Sequence, residues 1–170
     1  MALNYLAALK GKSFDKDGSM ARSGSVNNKL LARLNGLGYY QKRKSKSLGR
    51  EWFTEVFLPL VETSPVSIED KLATVTEHIA FQIAKVIARP GKKARVLVTG
   101  GGANNRFLIT LLREKLRVHE IYVPSKEVVD FKEALVFAFL GVLKAEQKVN
   151  TLYTATGATK DSSGGVVFIP

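Results

Sequence analysis

The stretch RVLVTGGGANNRFL, Arg95–Leu108, joins a short apolar run to three glycines and then to a segment with helical spacing. The β-branched run Val96–Thr99 predicts a strand, and a helix is expected to begin at about Ala103. A strand, a glycine turn and a helix in this order can bring the backbone close to a phosphate or a nucleotide. The spacing matches neither G-x-G-x-x-G nor the P-loop. It therefore predicts a ligand-approaching turn or, alternatively, a tight turn that only needs positive φ angles.

Strand and helix patterns alternate along the chain and predict an α/β fold. Strand patterns at Arg95–Thr99 and Glu120–Val123 flank a helical pattern, which is the order of a parallel pair. The first strand is apolar enough to be buried, and a last strand is expected at Val166–Ile169. Two parallel strands rarely stand alone, so partner strands come either from another chain or from a larger fold.

Helices are predicted at Ala2–Lys10, from a cap at Ser25 or Asn27 to Leu34, at Ser47–Leu58 with Pro59 as its kink or end, from a cap at Ser67 to a stop at Pro90 and Gly91, at Asn104–Leu116 and at Phe131–Leu143.

Composition excludes several kinds of site. The chain has 170 residues, which fits one domain or one lobe of a larger fold. It has no cysteine, so disulfides and thiolate metal sites are excluded. Its two histidines, His78 and His119, lie far apart in sequence, which argues against a histidine metal centre or a Ser-His-Asp site. We therefore predict no metal site and no catalytic histidine, and we expect both histidines to be structural or solvated.

The formal net charge of +11 raises the question of an anionic partner. Much of the excess lies in QKRKSKSLGR, Gln41–Arg50, just after Tyr39 and Tyr40. A nucleic-acid interface would spread basic residues over one face with aromatics between them. A solvated loop between two helices accounts better for this cluster, so nucleic-acid binding is kept only as a distant alternative.

No segment has the pattern of a membrane anchor or a secretory signal. The longest apolar run, Ala134–Leu143, is about half as long as a membrane-spanning helix needs to be. Met1–Lys12 has neither the charged start nor the cleavage-type ending of a signal peptide. We expect a soluble, cytoplasmic protein without a membrane partner.

Five segments carry a resemblance to a known family. They are FDKDGSMARSG (Phe14–Gly24), KSLGREW (Lys46–Trp52), TGGGANNRFL (Thr99–Leu108), DFKEALVFAFLG (Asp130–Gly141) and TGATKDSSGG (Thr156–Gly165). In this order, over nearly the whole chain, they resemble the C-terminal half of anhydro-N-acetylmuramic acid kinases.

That family belongs to the actin/Hsp70/sugar-kinase superfamily, whose members have two ribonuclease-H-like lobes around a cleft. The resemblance implies that residues 1–170 form a single domain, a helix-rich partial ribonuclease-H-like lobe with a short parallel sheet. It also implies that the N-terminal lobe is absent, which would account for the shortage of strands.

The resemblance further implies an activity. Members open the 1,6-anhydro ring of anhydro-N-acetylmuramic acid with water and phosphorylate O6 with ATP and magnesium, in the recycling of peptidoglycan. Their glycine-rich phosphate loop and catalytic aspartate segment would both precede Met1. We therefore expect no catalytic residue in this chain and little or no kinase activity from the chain alone.

The resemblance assigns functional residues only at positions that lie within the matching motifs. The family's adenosine-binding turn falls on Gly100, Gly101 and Gly102, with Ala103 and Asn105 just after it. Members often have His-Asn after that alanine, whereas this chain has Asn104 and Asn105.

The family's sugar-binding glutamate falls on Glu133, in the Lys-Glu-Ala motif. Without the resemblance, Glu133 would be interpreted as a favourable charge in a first helical turn, paired with Lys132 or solvated. Arg22 and Arg50 also lie in family motifs, and either a structural role or an anion contact is open for them.

The expected partners are ATP, anhydro-N-acetylmuramic acid, and either a second copy or a missing N-terminal lobe. A different class of function is a non-catalytic module that oligomerises or binds a partner through its uncovered sheet edge, because exposed edges invite strand pairing.

Overall fold

The computed structural model describes residues 1–42, 47–88 and 93–168. They fall into two compact units, Met1–Pro124 and Ser125–Pro170. A single domain over 1–170 stays a prediction. The helices are α1 (Ala2–Ala8), α2 (Ser19–Ser23), α3 (Asn28–Asn35), α4 (Gly38–Gln41), α5 (Arg50–Trp52), α6 (Leu58–Glu62), α7 (Ile68–Ile87), α8 (Arg106–Lys115), α9 (Lys126–Ala145) and α10 (Tyr153–Thr156). The strands are β1 (Arg95–Leu97) and β2 (Glu120–Tyr122), and short 3-10 turns lie at Lys16–Gly18 and Gly101–Asn104.

Helix α7 is the centre of the first unit. It begins as predicted, because the Ser67 hydroxyl accepts a hydrogen bond from the Asp70 N–H at 3.0 Å. Helices α1, α2 and α3 pack against it. Their fully buried side chains meet those of α7 in one apolar core, which includes Leu6, Leu30, Leu34, Leu72 and Val75.

The helix predicted at Ser47–Leu58 does not end at Pro59. Helix α5 continues through a π-helical turn, Phe53–Phe57, into α6, which ends at Glu62. A proline inside a helix lacks an N–H and its ring crowds the carbonyl one turn earlier. We attribute the widened turn to this crowding, because Pro59 lies two residues after its last residue, Phe57.

The sheet has two parallel strands, in the register Arg95 with Glu120 and Leu97 with Tyr122. The predicted parallel pair is therefore confirmed. The expectation that the first strand is buried is wrong, because Leu97 is 60% exposed. The strand has only β2 as a neighbour among the described residues, so its other edge is unpaired and the sheet is only partly covered.

Helix α8 covers part of this sheet and forms a second apolar core with the end of α7. The buried side chains Leu108, Ile109, Leu112 and Leu116 lie here, against residues on or beside both strands. The order helix, strand, helix, strand, helix and the short parallel sheet agree with the predicted helix-rich α/β class.

Helix α9 dominates the second unit. It begins at Lys126, five residues before the predicted start at Phe131. The only buried residue along its length is Val129. In the described part of the predicted last strand, Val166–Phe168, no strand forms, and Ile169 lies outside the described residues. The tail instead makes an isolated bridge between Thr151 and Ser162. None of the described helices is long and apolar enough to span a membrane.

Two predictions lie outside the described residues. Most of the basic cluster falls at 43–46, and the helix stop at Pro90 and Gly91 falls within 89–92.

Candidate functional site

Gly100 and Gly101, the first two of the three glycines, differ in whether the backbone conformation requires a glycine. Gly100 has φ +76°, in the left-handed region that favours glycine. Gly101 has no positive φ, and a Cβ added to it would meet no atom within 4 Å. The tight-turn interpretation therefore accounts for Gly100 but gives no reason for a glycine at position 101. An exposed backbone with open space beside it is what a closely approaching ligand needs.

Two of the predicted nucleotide-binding residues are used inside the protein. The Asn105 side chain is buried and its Oδ1 accepts the Leu108 N–H at 2.9 Å, which caps α8. Ala103 is also buried, and its N–H donates to the Gly100 carbonyl at 2.9 Å. Contacts of these two residues with a nucleotide stay predictions.

Asn104 is the exposed polar side chain between Ala103 and Asn105. Sequence reasoning left it out of the candidate site. The signal that could have included it is the departure from the family's usual histidine at this position.

The loop Phe14–Gly18 packs against the start of α8, just after the glycine turn. The buried Asp15 carboxylate accepts the N–H groups of Met20 at 2.8 Å and Ala21 at 3.0 Å, which fixes the start of α2. Gly18 has φ +69°, and a Cβ there would lie 2.6 Å from Phe107 Cβ and closer still to Asn105 Oδ1. Two separate sequence motifs therefore meet at the cap of α8.

A cavity of about 380 Å³ lies where this loop and the turn meet. Its apolar lining residues are Leu3, Phe14 and Leu108, and the others are Asn4, Asp15, Asp17, Gly101, Asn104 and Asn105. Apolar walls with a few polar groups are typical of small-molecule sites. The arrangement can enclose one face of a flat, partly polar ligand beside the open backbone of Gly101.

Arg22 contacts Phe107 next to the cap of α8, and Arg50 lies on α5. The Arg22 guanidinium lies over the Phe107 ring, 5.2 Å from its centroid. Close by, Arg106 Nε and Asp17 Oδ1 are 3.3 Å apart in an exposed ion pair, which stabilises the fold little. Arg50 is the first residue of α5, and its carbonyl accepts the Thr54 hydroxyl at 2.8 Å.

Glu133 is exposed on α9 and does not lie in a first helical turn. The helix starts at Lys126, and its first-turn acid is Glu127, whose pKa is lowered chiefly by a hydrogen bond to its own backbone and by Ser125. The interpretation of Glu133 as a first-turn charge is therefore wrong. No ion pair joins it to Lys132 among the described residues. Sugar binding by Glu133 stays a prediction.

Both histidines have structural surroundings. His78 is buried, with Nδ1 2.7 Å from Asn35 Oδ1 and Nε2 3.0 Å from the Tyr40 hydroxyl. Its burial lowers its pKa to about 4. His119 is also buried and accepts the Ala94 N–H through Nδ1 at 3.2 Å. Within residues 1–42, 47–88 and 93–168, no group of three or more His, Cys, Asp or Glu is arranged to hold a metal ion.

Comparison with known proteins gives the family. The family model described as anhydro-N-acetylmuramic acid kinase matches residues 4–170. The chain belongs to this family. It is 33% identical over 174 residues to the anhydro-N-acetylmuramic acid kinase of Aliivibrio fischeri, with 97% of this chain and 46% of the relative covered. The kinase of Vibrio parahaemolyticus is 35% identical, with 93% and 44% covered, and that of Methylorubrum populi 33%, with 98% and 44% covered.

The family assignment confirms the resemblance and the predicted fold class, because the family belongs to the sugar-kinase and actin-like ATPase superfamily. The chain spans less than half the length of the relatives that it matches.

Proposed function

We propose that this chain is the C-terminal, nucleotide-binding part of an ATP-dependent anhydro-N-acetylmuramic acid kinase. The reaction would be ring opening of the anhydro sugar and phosphorylation of its O6, in the recycling of peptidoglycan. The observation that carries the proposal is the glycine turn, which follows β1 in a chain of this family and has open space at Gly101. Absence of a side chain there lets a nucleotide approach the backbone closely.

The residues around the turn would have different tasks. Gly101 and Gly102 would form the contact surface for the adenosine, and Asn104 would offer an exposed amide beside it. Ala103 and Asn105 would hold the turn in shape through their backbone and cap hydrogen bonds. Glu133 would contribute a carboxylate to the sugar.

Magnesium would accompany the nucleotide. The described residues contain no group of three or more His, Cys, Asp or Glu that could hold a metal ion without the nucleotide. Hard oxygen ligands from phosphates commonly bind Mg²⁺ in kinases, so we assign the ion to the nucleotide and not to a carboxylate site in the described residues.

The 170-residue polypeptide by itself is expected to turn over little or no substrate. Phosphoryl transfer depends on positioning and charge stabilisation around the transferred group. Within these residues neither a glycine-rich phosphate loop nor the family's catalytic aspartate segment is present. Robust conversion of anhydro-N-acetylmuramic acid and ATP by the pure chain would contradict this expectation.

Calorimetric titration with a non-hydrolysable ATP analogue and magnesium tests the nucleotide site. We expect saturable binding that is lost in Gly101→Leu, because the new side chain would fill the space beside the turn. Gly38→Leu is the matched control, since a Cβ at Gly38 also meets no atom within 4 Å. Equal binding by both variants, or no binding by the unaltered chain, would overturn the proposal. Titrations with and without the anhydro sugar show whether the sugar contributes.

Helix α9 favours a second candidate function, a non-catalytic module that oligomerises or binds a partner. Five exposed apolar side chains follow each other at spacings of three and four, which puts them on one face of the helix. We call this face the α9 stripe; it consists of Val128, Phe131, Leu135, Phe139 and Val142. Sedimentation velocity tests this function, and a monodisperse monomer at high concentration would contradict oligomerisation.

The cytoplasmic location and the low rank of nucleic-acid binding stay predictions. Charge-driven affinity for nucleic acid should be strongest at low salt. Titration with single-stranded and duplex DNA and with RNA at low salt is expected to show no saturable binding, and such binding would restore that alternative.

A further inference from the structure

A second cavity in the first unit is lined by three arginines. It has a volume of about 460 Å³, and Arg22, Arg106 and Arg113 lie around it. Arg106 and Arg113 are seven positions apart on α8, which puts both on one face two turns apart. Arg22 comes from α2, so two helices separated by more than eighty residues of chain bring the positive charges together.

The positive charge at this cavity is only partly compensated. Arg106 pairs with Asp17 at 3.3 Å. In the part of the chain that the structure describes, Arg22 and Arg113 have no carboxylate within the 4.0 Å of an ion pair. Three guanidinium groups therefore face one carboxylate. The Phe107 ring beneath Arg22 fixes that side chain without neutralising it.

The cavity also borders the candidate nucleotide site. Ala103, the residue after the three glycines, contributes to its lining, together with Val123 just beyond β2. The lining residues Ala103 and Ile109 are buried and apolar, whereas the three arginines are exposed. Such a site selects for a compact anion with several oxygen atoms, because each planar guanidinium can donate two parallel hydrogen bonds to such a group.

We propose that this cavity binds the phosphate group of a small phosphorylated ligand. Two sources could supply that group. One is the phosphate chain of the nucleotide, in which case the inference rests on the proposed function. The other is a separate phosphorylated metabolite, in which case the site is independent of the glycine turn.

Calorimetric titration of the 170-residue chain with pyrophosphate at low salt tests the site. We expect one saturable binding event that weakens roughly tenfold or more in Arg113→Gln and in Arg22→Gln, since each loses a charge-assisted hydrogen bond. Arg33→Gln is the matched control, because it removes one charge from an exposed arginine on α3. Thermal unfolding of each variant checks that it is folded.

Parallel titrations with ATP and with adenosine separate the two sources. If Arg113→Gln weakens ATP but leaves adenosine unchanged, the cavity takes the nucleotide's phosphates. If it weakens pyrophosphate but not ATP, the cavity belongs to another phosphorylated ligand. Pyrophosphate binding without adenosine binding would support the cavity while contradicting the proposed function. Equal pyrophosphate affinity in Arg113→Gln, Arg22→Gln and Arg33→Gln, or no pyrophosphate binding at all, would overturn the inference.

Discussion

The long helices of the two units differ in how far their apolar side chains are buried. In Met1–Pro124, the apolar side chains in the first half of α7 are enclosed by the surrounding helices, and Leu72 is completely buried. In Ser125–Pro170, α9 has a similar apolar content, yet Leu135 is 67% exposed. A helix with this much apolar surface is normally covered. The first unit has therefore completed a core, whereas the second carries a surface suited to contact with something else.

The largest expected effect is on the completed core. Leu72→Ala should lower the free energy of unfolding by about 2–5 kcal/mol, because the lost side chain leaves a cavity among residues that cannot collapse onto it. Chemical denaturation followed by circular dichroism measures this change. A loss below about 1 kcal/mol would mean that the core around α7 is looser than its burial indicates.

The next effect concerns pH and His78, which also belongs to the first unit. Burial lowers its pKa to about 4, below the ordinary value of 6.5. The unfolded chain therefore takes up a proton first as the pH falls. Stability should be complete above about pH 6.5 and decrease towards pH 4, by at most roughly 3 kcal/mol for this group.

Denaturation between pH 7 and 4.5 measures this dependence on pH. In His78→Gln the slope should flatten, although the variant itself is less stable because its hydrogen bonds to Asn35 and Tyr40 change. The acids with lowered pKa values, Glu69 and Asp70, contribute mainly at lower pH. An unchanged slope in the variant would show that His78 is not the titrating group.

The contact between the Gly18 loop and the glycine turn gives a smaller effect. Gly18→Ala should lower the free energy of unfolding by about 1–3 kcal/mol, from a positive φ and from the clash with Asn105 and Phe107. Gly11→Ala is the matched control, with φ +70° but open space around its Cβ, and should cost only about 1 kcal/mol.

The two variants also distinguish the effect of backbone strain alone from the effect of the contact between the loop and the turn. If the loop positions the turn, Gly18→Ala should weaken binding of the ATP analogue, and Gly11→Ala should leave it unchanged. Equal affinities in the two would show that the turn keeps its shape without the loop.

Local signals predicted much of the first unit. The cap at Ser67, the cap at Asn27 and the parallel pair each follow from a few neighbouring residues, and the structure has them. The predicted start of α9 was wrong because the polar residues before Phe131, such as Lys126 and Asp130, are compatible with a helix when they pair four positions apart.

Long-range contacts could not be predicted in this way. Nothing near Gly18 in sequence indicates that it touches Asn105, and nothing near Arg22 places it beside Arg106. The expected burial of β1 was wrong for the same reason, because burial depends on which strands and layers lie beside it. The candidate turn was found from its glycines, but its supporting loop and the arginine cavity depend on tertiary packing.

The smallest expected effect on stability is on the α9 stripe. It tests the same comparison between the two units, now on the exposed side chains of the second unit. Leu135→Ser should change the free energy of unfolding by no more than about 0.5 kcal/mol, because the side chain is already exposed. Self-association of the chain, measured by sedimentation velocity, should nevertheless weaken, since Leu135 lies in the middle of the stripe. Phe137→Ser is the matched control: Phe137 is 72% exposed on the same helix but two positions away, on a different face. If both variants weaken association equally, association is driven by non-specific hydrophobic contact and not by the stripe. If Leu135→Ser lowers the free energy of unfolding as much as Leu72→Ala does, the contrast between the two units disappears.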